Sequence, residues 1–405
     1  MPRSATTWTR LLAFLAIVFA VLNAVNALNK GGDAAVFFEG GRRLLNGTNL
    51  YAGSSAAAGF IGPPFQAVFF APFAAIATVS TSAAKLAWHV AGLACLAAGV
   101  WCSARAWDEA RADLALPPRA WLPALFLPLA AVLLPLQTNF EHQNLNPLLL
   151  ALIGGAMLHL TTGGSVTAGV LIGTAAALKV FPGLLIGLLL LRNRRAAVVA
   201  IATAVVLTLL PLAIYGASQY EQLLRDFWRL ANSGWPVRGN NQALIAAIDR
   251  YANGFSGGGV RELNGTIAIV YGVTAALMLA VSSWTAARSR RPERPTLLIQ
   301  LAAITSLAVL LSPIAWDHYW LLMFPAFLIL FDSAPWLGPA GRYATVAAAV
   351  LVTGLSPLTL GKTGFNAARD LSAYTIAGVI VYVCLTLWCW RIPAEARRLS
   401  APGRS

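Results

Sequence analysis

Charge is scarce in this sequence. Only 11% of its 405 residues are charged and 58% are hydrophobic, whereas a soluble domain carries roughly a quarter charged residues, so a dissolved globular enzyme is excluded. Acids are fewer than bases, 15 against 29, for a formal charge of +14. The bases are dispersed between apolar stretches, with no dense basic face or aromatic-interleaved patch, so nucleic acid is not the partner they indicate. Cysteine is rare too: Cys95, Cys102, Cys384 and Cys389 lie within or at the ends of apolar segments, without the paired loop spacing of a disulfide framework or zinc site. The histidines are scattered, His89 and His159 sitting in or beside apolar runs, and form no zinc motif. A phosphate-binding loop, a Gly-x-Ser-x-Gly elbow and a dinucleotide fingerprint are all missing, which argues against a soluble nucleotide as direct substrate. Neither a metal nor a cofactor is expected.

What is abundant is apolar length. Mean hydropathy is +0.69, and runs long enough to cross a bilayer, about 20 residues each when helical, recur between residues 11 and 390. They leave no room for a separate soluble domain. The expected fold class is an all-α polytopic membrane protein, one integral membrane domain over residues 1–405. Spans are expected near residues 10–28, 85–104, 120–136, 146–161, 165–178, 181–191, 196–215, 266–287, 296–311, 319–331, 344–360 and 374–391. Twelve spans put both termini on one side. The first run follows Arg3 and Arg10 and ends near Ala27; it has the outline of a signal peptide, but with so many spans behind it an uncleaved first helix is expected.

Short loops rich in Arg stay cytoplasmic. In this layout Arg3 and Arg10, Arg105, Arg111 and Arg119, Arg192, Arg194 and Arg195 share one side with Arg288, Arg290, Arg291 and Arg294, Arg342, and Arg391, Arg397, Arg398 and Arg404. Cytoplasmic termini in a plasma membrane follow. Residues 60–80 are apolar enough to span but carry Pro63, Pro64 and Pro72; counting them as a span would invert the charge bias, so they are expected on or partly in the outer leaflet. Two long outer loops remain, residues 29–84 and 216–265, and a site is expected on the exoplasmic face where their polar residues converge.

Asp33 opens a stretch in which Val36, Phe37, Gly40, Gly41, Leu44 and Leu45 fall on one helical stripe, the pattern of a short interfacial helix. At its N-terminus the dipole and free amides stabilise an ionised carboxylate; a plain helix cap is the bland alternative. Lys179 lies between two apolar spans with almost no loop, where an ammonium suits a phosphate, with snorkelling to lipid headgroups as the alternative. Trp316, Asp317 and His318 precede Tyr319 and Trp320: the histidine can donate to a phosphate oxygen or sugar hydroxyl, and the neighbouring aromatics fit an interfacial belt. Gln143-Asn144-Leu145-Asn146 and Asn241-Gln242 offer amides for sugar hydroxyls or for helix caps. Asn46-Gly47-Thr48 and Asn264-Gly265-Thr266 match the glycosylation sequon, a weak pattern.

In order, these segments resemble glycosyltransferase family 87, the polyprenol-phosphate-mannose-dependent mannosyltransferases. The likeness rests on Asp33 followed by Gly47 and Leu50-Tyr51, on Pro63-Pro64 after an aromatic, on Lys179 with Pro182, on Asn241-Gln242, and on Ser312-Pro313 with Trp316 and His318. Phe37 and Gly62 stand where that family often has tyrosine. The resemblance implies a C-type glycosyltransferase fold and a polyprenyl-phosphate sugar donor, most simply mannose, used in the bilayer to glycosylate a lipid or glycan acceptor. It implies Asp33 as catalytic base, Lys179 and His318 as donor phosphate ligands, and Asn144, Asn146, Asn241, Gln242, Trp316 and Asp317 as sugar or acceptor contacts. A transporter or flippase of lipid-linked sugars is the alternative, though no internal repeat or midplane polar site favours it; a scaffold is a third, and predicts that changing Asp33 is silent. The same reaction with another sugar, such as arabinose or glucose, stays open, and the acceptor, prenyl length, metal dependence and oligomeric state are not legible.

Overall fold

Lipid offers backbone amides no partner, so an apolar chain in a membrane closes its hydrogen bonds within each segment, as a helix. The computed structural model describes residues 17–30, 32–55, 58–114, 121–254, 259–262, 265–288, 294–333 and 337–399. Arg3, Arg10, Arg119, Arg290, Arg291, Arg404 and Asn264, invoked above, lie outside them. The helices are α1 (Ile17–Asn29), α2 (Gly32–Leu45), α3 (Pro64–Val79), α4 (Thr81–Asp113), α5 (Trp121–Ala131), α6 (Leu133–His142), α7 (Asn146–Thr161), α8 (Ser165–Leu178), α9 (Leu184–Arg192), α10 (Arg194–Leu209) and α11 (Leu212–Ala231). They continue with α12 (Leu244–Asn253), α13 (Gly265–Arg288), α14 (Arg294–Leu311), α15 (Phe324–Ser333), α16 (Gly338–Ala349), α17 (Pro357–Asp370) and α18 (Ala373–Leu399). Two-residue strands Trp235–Pro236 and Val260–Arg261 pair antiparallel in the segment around α12.

Burial separates the bundle into an inner and an outer layer. α14 is apolar all round and 89% of its spanning window is buried, whereas α13, just as apolar, is only 6% buried. Ile269, Val270, Val273 and Leu277 of α13 stand exposed; such a surface is stable only against lipid. Small residues bring helices close: Gly99 of α4 abuts the α7 backbone at Leu150 and Ala151, and Gly169 and Gly173 of α8 abut carbonyls of Ala196 and Ala200 on α10. Close backbone approach is how membrane helices gain packing without a hydrophobic drive between them.

Among the described residues four helices are long and apolar enough to cross a membrane, or seven if three bent pairs each count as one. This is a multi-pass membrane protein. Three of the expected spans adjoin or contain a bend: 60° between α5 and α6 within 120–136, 88° between α10 and α11 where 196–215 ends, and 89° between the α16 segment and α17 within 344–360. At the second bend Leu210 and Pro211 keep helical dihedrals and the chain turns at Gly216 (φ +68°, ψ 172°). At the third the ladder breaks at Leu355 and Ser356, before Pro357, and again at Gly361 (φ +67°, ψ 172°), a left-handed conformation that favours glycine. At the first, Thr353 donates from Oγ1 to the Ala131 carbonyl (2.8 Å) and accepts from the Leu134 amide (3.4 Å), serving groups the break sets free. Residues 64–79 form one helix despite their prolines: Pro64 occupies its first turn, where no amide is needed, and only Pro72 is internal.

Candidate active site

The α2 helix begins at Gly32, whose φ of +54° no ordinary side chain adopts comfortably; a Cβ there would lie 2.7 Å from the His142 carbonyl at the end of α6. Glycine therefore lets α2 start against α6, and Asp33 follows at once. Beyond it Phe37 stacks on Phe70 of α3 at 4.7 Å between centroids, and Phe70 meets Trp88 of α4 edge-on. The apolar stripe expected from the spacing is present, with Ala34 and Phe38 added to its buried face and Leu45 exposed.

After His142 the chain reverses through Gln143 in left-handed conformation. Trp88 Nε1 donates to the Gln143 carbonyl (2.8 Å), and the Gln143 amide donates to the Lys85 carbonyl (2.9 Å). This fixed turn delivers Asn144 and Asn146. Asn144 Nδ2 donates to Asp33 Oδ2 at 2.6 Å, while Asn146 Nδ2 donates to Asn139 Oδ1 (3.1 Å) and to the His318 carbonyl (3.2 Å).

Lys179 is extended at the end of α8, just before Pro182. Its Nζ lies 3.4 Å from both Asn144 Oδ1 and Asn146 Oδ1 and 3.5 Å from the centroid of the Tyr319 ring. Two amide oxygens and a π face orient the ammonium without neutralising it. Burial lowers its pKa, and the Asp33 carboxylate draws it back up.

His318 sits in a turn of 3-10 helix, Asp317–Met323. Its Nε2 is 3.6 Å from Asp33 Oδ2 and its Nδ1 is 3.8 Å from Asp317 Oδ1; neither nitrogen has a hydrogen-bond partner although both are buried. Burial first, then the neighbouring Lys179 charge, holds the imidazole well below its ordinary range and neutral. Asp317 is buried as well: its Oδ2 is 3.0 Å from Arg369 Nη2, and its Oδ1 accepts from the His318 amide at 3.1 Å. Burial raises its carboxyl and Arg369 pulls it back down.

These groups share one cavity of about 940 Å³. Asp33, Asn144, Lys179, Trp316, Asp317 and His318 line it; Asn146, Asn241 and Gln242 do not. Both Asn241 and Gln242 are fully buried, and each amide is saturated by backbone. Asn241 donates to the Pro236 and Pro313 carbonyls and accepts from Ala243 and Ala315 amides. Gln242 donates to the Gly239 and Arg369 carbonyls and accepts from Tyr374 and Thr375 amides. Neither amide of this pair reaches the cavity; both clamp loops together through backbone groups. Asn146 is likewise a support, acting through Lys179 and His318. Sequence reasoning missed His142, Arg238 and Arg369 on the cavity wall, and treated Tyr319 as a belt residue. Arg238 is the more exposed arginine, and among the described residues its side chain forms no ion pair. No three His, Cys, Asp or Glu side chains group as metal ligands among the described residues.

A membrane-type helical bundle that places a helix-start carboxylate, a buried lysine and a buried imidazole around one cavity is the arrangement of a membrane-embedded group-transfer enzyme. The chain belongs to glycosyltransferase family 87, whose profile matches residues 60–313, and it is a glycosyltransferase. It is 28% identical over 315 residues, 74% of this chain and 69% of the relative, to a polyprenol-phosphate-mannose-dependent alpha-(1-2)-phosphatidylinositol mannoside mannosyltransferase of Mycobacterium tuberculosis. Identity to the protein of the same name from Mycolicibacterium smegmatis is 28% over 346 residues, 81% and 76% of the two chains. A phosphatidylinositol pentamannoside mannosyltransferase of M. tuberculosis matches at 25% over 288 residues, 70% and 61%. No solved structure matches the chain.

Proposed function

We propose that this protein is an inverting glycosyltransferase that moves mannose from a polyprenyl-phosphate donor to a hydroxyl of a lipid or glycan acceptor at the outer membrane face. The relatives' names supply the donor class, and the positive-inside pattern of the arginines supports the face. The observation that carries the proposal is the placing of Asp33 and Lys179 on one cavity wall, bridged by Asn144, which donates to the one and accepts from the other. We place the chain, as one integral unit of twelve passes, in the C-type glycosyltransferase fold.

Asp33 acts as general base. With Oδ2 held by Asn144, Oδ1 is left to take the proton from the acceptor hydroxyl as its oxygen attacks the anomeric carbon opposite the departing phosphate. Inversion through an oxocarbenium-like transition state follows from one displacement with one base. Negative charge grows on the polyprenyl phosphate as the bond breaks. Lys179 meets it with a charge already oriented and poorly hydrated, the condition in which electrostatic stabilisation is largest. His318, neutral at rest, gains a second proton once a phosphate anion lies beside it, and then donates to that phosphate. Trp316 and Asn144 face the sugar. Leu184, Leu311 and Phe181 of the cavity wall offer the prenyl chain an apolar path, so the lipid need not leave the bilayer.

The test is consumption of labelled polyprenyl-phosphate mannose by membranes containing the protein, with a crude lipid and glycan pool as acceptor. Asp33→Asn is expected to lower transfer by roughly 10²–10⁴-fold. Undiminished transfer by Asp33→Asn would remove the base, and transfer only from another lipid-linked sugar would correct the donor.

A further inference from the structure

Asp33, His318, Asp317 and Arg369 stand in a row, the imidazole facing a carboxylate on each side beyond direct hydrogen-bond distance and Arg369 paired directly with Asp317. Asp33 Oδ2 to His318 Nε2 is 3.6 Å, His318 Nδ1 to Asp317 Oδ1 is 3.8 Å, and Asp317 Oδ2 to Arg369 Nη2 is 3.0 Å. Its far end is anchored with unusual care. Arg369 closes α17; its guanidinium lies 5.1 Å from the centroid of the Phe365 ring, and its carbonyl accepts from Gln242 at 2.7 Å. The same Gln242 holds the amides of Tyr374 and Thr375 at the start of α18, and Trp320 Nε1 donates to the Tyr374 carbonyl at 2.8 Å. The turn between α17 and α18 is thus stapled to the segment that carries His318. These contacts fix the backbone from which the Arg369 guanidinium reaches the Asp317 carboxylate.

We propose that Arg369 is a positioning residue: by holding the Asp317 carboxylate ionised it fixes the proton of the resting His318 imidazole on Nδ1 and aims Nε2 at Asp33 and the donor phosphate. The proposal rests on the donor chemistry above and extends it to a residue that lines the cavity without serving the reacting atoms. The physics is direct. A buried carboxylate without a partner takes up a proton; Asp317 would then donate to Nδ1 and drive the ring proton to Nε2, the opposite tautomer. The other charged or titratable groups facing the imidazole are Asp33 on α2, His142 on α6, whose ring is 5.7 Å away, Lys179 after α8, and Tyr319 beside it, at 5.2 Å. His142 also acts on the Asp317 carboxylate, and Tyr374 faces it, but of these groups Arg369 alone is paired with it directly, at 3.0 Å.

The test has two arms on the full-length protein, both checked for folding by its elution as a single species in detergent. In the first, ¹⁵N-histidine NMR reads the His318 tautomer, assigned by the signal that His318→Gln removes. The Nδ1-protonated form is expected in wild type and in Arg369→Lys, and the Nε2-protonated form in Arg369→Gln. A folded Arg369→Gln that keeps the Nδ1 proton overturns the proposal, and this arm requires no sugar donor. In the second arm, Arg369→Gln is expected to lower kcat/KM for polyprenyl-phosphate mannose on the order of 10- to 100-fold, the loss that a misplacement of about 1 Å produces, with the acceptor KM unchanged. The double variant Asp317→Asn/Arg369→Gln is expected to be no worse than Asp317→Asn alone; losses that multiply would mean that Arg369 acts by another route. If wild type consumes no such donor, the donor assignment fails while the tautomer arm still decides the relay.

Discussion

A lone ammonium in an apolar wall is tolerable only when something near it is negative some of the time. Lys179 has two amide oxygens and an aromatic face at rest, none of which carries a full charge, and burial accordingly lowers its pKa. A folded-state pKa below the ordinary value of about 10.4 means that the charge is lost earlier as pH rises. In free enzyme, kcat/KM for the donor is therefore expected to fall on the alkaline side well before an exposed lysine would titrate. Lys179→Arg keeps its charge throughout that range and is expected to flatten this limb while lowering the absolute rate, because the planar guanidinium does not fit the pair of amide oxygens. Coincident alkaline limbs in the two proteins would assign the titration to another group. At this scale the sequence was informative where polarity is conspicuous: Asp33, Lys179 and His318 stand out as ionisable residues flanked by apolar runs. It was uninformative for Asn241 and Gln242, because an amide that binds a sugar and one that staples two loops have the same composition, and for Arg369, whose charge on a short amphipathic helix reads as solvated.

Helices were legible from apolar length alone. The spans read at 146–161, 165–178 and 266–287 coincide with α7, α8 and α13 to within a residue or so, since lipid leaves the backbone no other choice. Bends were not, because hydropathy is blind to direction; a glycine such as Gly216 or Gly361 continues an apolar run in composition and turns it in space. Packing between elements was equally hidden, and one buried contact shows what it contributes. Arg111 of α4 lies 2.7 Å from Asp332 of α15, and Trp107 Nε1 donates to the same carboxylate at 2.8 Å. Both charged side chains are largely buried, 9% and 16% exposed, so removing Arg111 leaves the Asp332 charge buried with the Trp107 N–H but without its 2.7 Å counter-charge. Arg111→Met is expected to destabilise the folded state by about 3–5 kcal/mol, whereas Arg111→Met/Asp332→Leu recovers most of that loss. Thermal unfolding in detergent measures both, and a double variant as unstable as the single would show that the helices depend on the charge pair itself.

At the scale of the whole molecule, the arginine pattern and the position of the cavity must agree on one orientation. If the loops bearing Arg105, Arg195 and Arg288 face the cytoplasm, the break at Lys179, the turn of Asn240 and the start of α2 share the opposite side, since α8 and α9 lead away from the first set and back to it. The energy for transfer must then be present in the donor itself, because nucleotide sugars do not reach that face, and a lipid phosphate sugar satisfies this. Ser233, exposed in the segment after α11, and Arg195, exposed at the start of α10, report the two sides. In a background with Cys95, Cys102, Cys384 and Cys389 replaced by alanine, Ser233→Cys is expected to react with a membrane-impermeant maleimide in intact cells, and Arg195→Cys only after permeabilisation. The reverse pattern would turn the cavity toward the cytoplasm, where a soluble activated sugar is at hand, and the case for a lipid-linked donor would then rest on the relatives alone. Labelling of both cysteines in intact cells would instead mean that an even number of passes separates them, and that the bent pair α10 and α11 enters and leaves the membrane on the same side.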